Sequence, residues 1–284
     1  MHKLLIFAKS PIKGKVKTRL KKNTPLTDDN ILKLYTAFLK DTIVSASLSN
    51  VQKIYIAYYP EDSEKLMHKT IFKSTIRNLK SKIKMFPQSG NDFDDRVTNA
   101  IKEIHNDIRD NIVILGSDSP HIQPAIINRA FRFLSTPPIH PLQKGGKGGG
   151  SPEGWGNLKG SMVLGPSGEG GVYLIGLRYE GKINFKGVFI AKNESDNLLK
   201  IARRKKLSLL LLEELTDVDV KSDLITLISN LSMIKYSSHY TKIHLPQYTL
   251  NAIKRLGLTV TRKGNGTREK YLIKAKSKSG FCGI

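Results

Sequence analysis

The stretch KLLIFAKSPIKGKVKTRL, residues 3–20, decides the fold. Its first part, Lys3 to Ala8, is a short apolar run that stops at the turn-forming pair Ser10-Pro11, which predicts a fully buried strand. The rest is a loop carrying Lys9, Lys13, Lys15, Lys17 and Arg19 around Gly14. In open α/β sheets, ligands bind beyond the carboxyl ends of strands, so a loaded loop at that point is a site candidate. Gly14 lets the backbone come close to a diphosphate, and Arg19 can grip phosphate oxygens in bidentate fashion, with Lys9, Lys17 and Thr18 beside it. A basic surface loop is the other reading of the same residues.

Working outward, strands and helices alternate. Thr27-Asp28-Asp29 starts a helix whose stripe is Ile31, Leu34, Phe38, Leu39, Thr42, Ile43 and Ala46. A strand over Lys53 to Tyr59 is stopped by Pro60 and followed by a helix from Glu61 to Phe72. Val97, Ile101, Ile104 and Ile108 mark another helix. Asn111 to Leu115 is a buried strand leading to a helix near 124–134. Met162 to Leu164 and Tyr173 to Leu177 are strands around a glycine-rich turn. A helix at 195–206, a strand at 207–212 and a helix after Lys221 complete a largely parallel sheet covered on both faces.

Three further segments carry chemistry. Asp118 lies just past the strand ending at Leu115, where a carboxylate could hold Mg²⁺ or Mn²⁺ together with substrate phosphates, or could merely cap the next helix. Gly165 to Gly171 is a glycine-rich turn in which Gly170 and Gly171 allow close backbone approach and Glu169 faces the same cleft; a plain hairpin is the alternative. Asp92 and Arg96 stand one helical turn apart, as nucleotide contacts or as a surface pair. Asp217 and Asp219 alternate in direction, so helix capping is assigned to Asp219.

The formal charge of +23 suits phosphate-bearing or polyanionic partners, or a Lys-rich solvated surface such as Lys80 to Lys84 and Arg203 to Lys206. One cysteine, Cys282, excludes a disulfide framework within the chain, and the dispersed histidines do not suggest zinc. The apolar run at His2 to Ala8 is too short for a signal peptide, and no stretch approaches the ~20 residues of a membrane span. These features predict a cytoplasmic protein. Two regions stand apart: a Pro- and Gly-rich insertion at 136–160 inside a domain covering 1–234, and a basic tail at 235–284. From Lys242 onward the tail has ten Lys and Arg residues against the single acid Glu269. It reads either as a loosely held solvated tail or as a small appendage, with a helix at 248–256 and strands at 258–262 and 270–274 around Gly264-Asn265-Gly266. Only through that appendage would nucleic acid be a partner, and the charge and the tail together also admit a non-enzymatic, basic nucleic-acid-binding protein.

Taken in order, the motifs resemble the rSAM/selenodomain-associated transferase family, first type. The pattern F-x-K-x-P-x-x-G-x-V-K-T-R-L is met by Phe7, Lys9, Pro11, Gly14, Val16, Lys17, Thr18, Arg19 and Leu20. Gln88, Asp92, Phe93 and Arg96 meet a second element, and Gly116, Asp118 and Pro120 a third. Gly165, Pro166, Gly170, Gly171, Tyr173, Leu174, Ile175 and Gly176 meet a fourth, and Asp217, Val218, Asp219, Asp223 and Leu224 a last one. The resemblance implies a GT-A-like, Rossmann-like nucleotide-diphospho-sugar transferase fold. It also implies a metal-dependent transfer from a nucleotide-diphosphate sugar, or from a nucleoside triphosphate, to a small-molecule acceptor. Asp118 would be the metal ligand, with Glu169 in support. Glu169 stands where the pattern has Asp, and the pattern's W-[ST] pair is replaced near Phe189-Ile190-Ala191.

Overall fold

The computed structural model describes residues 1–72, 78–105, 107, 110–137, 158–181, 183–190, 193–262 and 270–274. Seven strands form one sheet: β1 (His2–Lys9), β2 (Lys53–Tyr59), β3 (Ile83–Pro87), β4 (Asn111–Gly116), β5 (Gly160–Pro166), β6 (Val172–Tyr179) and β7 (Leu207–Leu211). Their spatial order is β3-β2-β1-β4-β6-β5-β7. Only β6 runs antiparallel to its neighbours; the other pairings are parallel. The chain therefore has the α/β architecture expected of it, a mostly parallel sheet with helices on both faces.

Strand periodicity explains the two cores. Leu4 and Ile6 of β1 point to one face, where they meet Leu39, Ile43 and Phe131 from α1 (Asp28–Ser47) and α4 (Pro124–Ser135). Leu5 and Phe7 point to the other, against Val97, Leu198 and Ile201 from α3 (Phe93–Ile104) and α5 (Glu194–Arg204). The start of α1 is fixed by a reciprocal cap: Thr27 Oγ1 accepts from the Asn30 N–H and Asn30 Oδ1 accepts from the Thr27 N–H, both at 3.3 Å. A 3-10 turn at Glu61–Ser63 leads into α2 (Glu64–Phe72).

Two expectations change. The segment around Lys80 to Lys84 is not all solvated surface, because Ile83–Pro87 is an edge strand paired with β2. Its Lys84 and terminal Pro87 hide the strand in the sequence, and both suit an edge. The tail is not loosely held through its described residues. It forms α7 (Gln247–Arg255) and the antiparallel pair β8 (Leu258–Arg262) and β9 (Lys270–Lys274). Ile253, Leu256, Leu258 and Leu272 are buried with Leu34 and Phe38 of α1 and Leu231 of α6 (Lys221–Ser237). The Asp41 carboxylate accepts from the N–H groups of Tyr248 and Thr249 at 3.1 and 2.6 Å, so the cap of α7 comes from α1. The expected features at Ile108, residues 138–157 of the insertion, Ala191, Gly264-Asn265-Gly266 and Cys282 lie outside the described residues.

Candidate functional site

A cleft of about 710 Å³ opens at the carboxyl ends of β1, β2, β3 and β4. Its floor is Phe7 to Lys9 and Ile114 to Asp118, its basic rim is Lys15 to Arg19, and Asp217 and Asp219 close one end. Tyr59, Gln88, Phe93 and Arg96 form the other end, with Val172 to Ile175, Phe189 and Glu194 along the side.

The loop after β1 is pinned by Val16 and Leu20, which are buried. Between them Gly14 turns at φ +72° and Lys17 adopts φ 46°, ψ 40°. A left-handed lysine is strained, and the strain aims its side chain inward. The Lys17 Nζ lies 2.7 Å from Asp118 Oδ2 and 3.6 Å from Asp219 Oδ1, with only 7% of the side chain exposed. Arg19 Nη1 meets Asp219 Oδ2 at 2.5 Å. The acids converge because the Val218 N–H donates to the Asp118 carbonyl at 3.1 Å, tying the segment before α6 to the end of β4. Capping of α6 falls instead to Asp223, whose carboxylate accepts from the N–H groups of Asp219 and Val220. The capping role expected for Asp219 is therefore corrected: Asp223 relieves it of that duty and frees it to pair with Lys17 and Arg19.

The charges do not balance. Burial works against the Lys17 ammonium, but Asp118, Asp217 and Asp219 outweigh it and hold its pKa above the ordinary value. The Asp217 carboxyl is pushed up to about 7, first by burial and then by the charge on Asp118, with Lys17 opposing. Lys17 and Arg19 are two cations against three carboxylates, and the acid without an ion pair to either yields. Beneath the cluster the Tyr35 hydroxyl donates to the Lys9 carbonyl at 2.7 Å and lies 3.3 Å from Ser117 Oγ. Burial and the nearby Asp118 keep that phenol protonated.

At the far end Arg96 stacks over Tyr59, 4.9 Å from guanidinium to ring centre, and over Phe93 at 5.6 Å. Its Nε is buried and has no hydrogen-bond partner among the described residues. Tyr59 and Phe93 are 44% and 38% exposed, so both rings keep surface beyond what Arg96 covers for contact with a planar ligand. Phe93 is held edge-on by Phe7 and Phe189. The buried Asp94 carboxylate fixes the Phe189 loop by accepting from the N–H groups of Gly187 and Phe189 at 2.6 and 2.9 Å.

Of the residues singled out in the sequence, Lys9, Lys17, Thr18, Arg19, Arg96 and Asp118 line this cleft. Gly14, Asp92, Glu169, Gly170 and Gly171 do not. Asp92 is spent as the cap of α3, accepting from the Asp95 N–H at 2.8 Å. Glu169 sits in a one-turn 3-10 segment at φ 58°. The glycine there serves the protein rather than a ligand, since a Cβ on Gly171 would lie 2.7 Å from Ser167 Oγ. Glu194, the first residue of α5, is the carboxylate in the cleft on this side, and it accepts from the Val172 N–H at 3.3 Å. Burial raises its pKa. Asp217, Asp219, Tyr35, Tyr59 and Glu194 all join the site without having been singled out for it. Only Asp217 and Asp219 left a signal in the sequence, as an acid pair following a strand.

Among the described residues no group of three or more His, Cys, Asp or Glu side chains is gathered closely enough to hold a metal ion, and the Lys17 ammonium stands between the acids. Asp118 and Asp217 offer hard carboxylate oxygens, the donor type that Mg²⁺ or Mn²⁺ prefers. No helix among the described residues is long and apolar enough to cross a membrane.

Residues 42–192, just over half of the chain, match the family described as "uncharacterized protein conserved in bacteria" (DUF2064), and the chain belongs to that family. Among solved structures, it resembles a Desulfovibrio desulfuricans G20 protein whose description gives nucleotide-diphospho-sugar transferase as a provisional function. The two are 22% identical with a TM-score of 0.62, over 89% of this chain and 95% of that one. That likeness shows the fold. A cytidylyltransferase from Leptospira borgpetersenii is 15% identical with a TM-score of 0.46, over 89% and 94%. A Mycobacterium tuberculosis H37Rv protein in complex with manganese is 13% identical with a TM-score of 0.42, over 80% and 97%. No curated protein matches the chain.

Proposed function

We propose that the chain is a cytoplasmic, divalent-metal-dependent glycosyltransferase of the rSAM-associated type, taking a nucleotide-diphosphate sugar as donor and a small molecule as acceptor. The observation that carries this reading is the buried, unbalanced cluster of Lys17 with Asp118, Asp217 and Asp219 at the carboxyl ends of β1 and β4. The nucleobase stacks on Tyr59 and Phe93 beside Arg96, and the diphosphate runs toward Lys9, Lys17 and Arg19. Those cations take up the charge that develops on the departing nucleoside diphosphate. Asp118 and Asp217 would hold the metal ion, which when bound supplies Lewis acidity to the leaving diphosphate. An acceptor hydroxyl oxygen forms the new bond to the anomeric carbon while the carbon–oxygen bond to phosphate breaks, and the leaving group keeps the electron pair. Glu194, with its pKa raised by burial, is placed to take the hydroxyl proton.

A thermal-shift panel of nucleotides and nucleotide sugars, with and without Mn²⁺, tests the binding half, because a specific ligand raises the melting temperature by mass action. Product analysis tests the reaction. Release of a nucleoside diphosphate from a sugar donor supports the proposal. Pyrophosphate formed from a nucleoside triphosphate and a phosphorylated acceptor would replace it with nucleotidyl transfer.

A further inference from the structure

The outer edge of the sheet at β7 is open: β7 pairs with β5, and among the described residues no strand lies on its other side. Soluble proteins usually shield such an edge with charges, proline or a covering element. Here β7 instead presents Leu209 and Leu211, 40% and 65% exposed. Side-chain direction alternates along a strand, so both leucines stand on one face, in line with buried Leu207.

The flanks of this strand explain what could cover it. Residues 203–214 read RRKKLSLLLLEE, with Arg203, Arg204 and Lys206 exposed on the amino side and Glu213 and Glu214 exposed on the carboxyl side. Lys205 lies over the Tyr179 ring of β6 and Glu213 pairs with Arg129 of α4, which leaves Arg203, Arg204 and Lys206 on one flank and Glu214 on the other as the exposed charges outside these contacts. A strand with cations at one end and acids at the other is complementary to an antiparallel copy of itself. A parallel copy would set like charges side by side.

We infer that the chain forms a two-fold homodimer by antiparallel pairing of its β7 edges, which joins the two seven-stranded sheets into one. With the axis at Leu209, Leu211 stands opposite the partner's Leu207, and the basic end of α5 with its turn, Arg203 to Lys206, lies toward the partner's Glu214. The exposed leucines of both copies then form one apolar strip closed at each end by opposite charges. Such a contact is isologous, so it closes at two copies rather than growing into a filament. The formal charge of +23 on each chain opposes association at long range. At 0.1 M salt the Debye length is only ~10 Å, so that repulsion is screened while charges in contact still pair. None of these residues lines the cleft, so the inference stands or falls apart from the proposed activity.

Sedimentation equilibrium of the full chain in moderate salt is the test. The expected result is twice the mass of the chain, falling to a single chain in Leu211→Lys with an unchanged circular dichroism spectrum. Glu214→Lys on the exposed flank is expected to weaken the dimer by ~10-fold or more, and adding Arg204→Glu, which reverses one charge of the facing basic segment, is expected to recover part of that loss. A wild-type chain that stays monomeric at ~100 µM, well above the range of specific association, overturns the inference. So does a dimer that neither Leu211→Lys nor Glu214→Lys weakens.

Discussion

Each end of β1 has a buried lysine beside carboxylates, and the two are built differently. At the amino end, the Lys3 Nζ lies 2.5 Å from Asp110 Oδ2 and donates to the Ile104 carbonyl at 2.6 Å, with side chains 4% and 3% exposed. At the carboxyl end, Lys17 meets Asp118 and Asp219 with Asp217 close by, and those acids open into the cleft. In the first, closed cluster the single carboxylate is fully answered, by the Lys3 ammonium and by the Met1 ammonium 3.5 Å from Asp110 Oδ1. The second has more negative charge than Lys17 and Arg19 can neutralise, and part of that surplus is relieved by the raised pKa of Asp217. What distinguishes a site from a structural ion pair here is thus the imbalance of charge and its access to solvent, rather than the depth of burial.

Breaking each cluster should separate stability from binding. The largest effect is expected at the closed end: Asp110→Ala leaves the Lys3 ammonium buried beside a lost partner and should cost ~3–5 kcal/mol in urea unfolding. Nucleotide affinity of the folded fraction should not change. Next comes Asp118→Asn at the open end. Calorimetry with a nucleotide and Mn²⁺ should show a loss of ~2–4 kcal/mol in binding, while urea unfolding moves by less than ~1 kcal/mol because Asp219 still faces Lys17. Equal losses of stability at both ends would erase the distinction.

The pH dependence sharpens the comparison. Asp217 carries a folded-state pKa raised to about 7 from 3.8, so the folded chain prefers it protonated. Its contribution to stability is fully present below pH 3.8 and is lost as pH rises through about 7. Asp217→Asn should therefore match the unmodified protein near pH 4 and exceed it above pH 7 by a few kcal/mol in thermal unfolding, at ~1.4 kcal/mol for each pH unit between the two values. A stability gap that does not widen between these values would mean that Asp217 is ionised throughout.

The two ends also differ in how much of them the sequence reveals. The cleft end is legible where function follows a buried strand: Lys17 and Arg19 after β1 and Asp118 after β4 are found by that rule alone. The convergence of Asp217 and Asp219 on Lys17 is not legible, because it depends on one backbone hydrogen bond from Val218 to Asp118 and on Asp223 capping α6. Glu169 lies outside the cleft lining, and two of the glycines around it, Gly165 and Gly171, are needed where the chain packs against Tyr173 and Ser167. Gln88 belongs to the same class. It stands in a recognisable motif, yet its amide donates to the Ala57 carbonyl at 2.8 Å and stitches strand ends together. The Lys3–Asp110 pair leaves no local pattern, since its members lie far apart in sequence and meet only when β1 joins β4.

The smallest effect should come from the most exposed member of the open cluster. Arg19 is 75% exposed and its partner Asp219 is 41% exposed, so solvent screens their ion pair despite its 2.5 Å separation. Arg19→Gln should change stability by no more than ~0.5 kcal/mol, less still in high salt. The same substitution removes a bidentate phosphate donor from the rim of the cleft. Its effect should therefore appear in ligand affinity rather than in folding, and as a loss shared by nucleotides and pyrophosphate. Tyr59→Ala at the opposite end should weaken nucleotides and leave pyrophosphate unaffected. Calorimetry on the two variants with both ligands separates a phosphate end from a base end. A loss in Arg19→Gln confined to nucleotides, or absent for both ligands, would show that its guanidinium serves Asp219 and not a diphosphate.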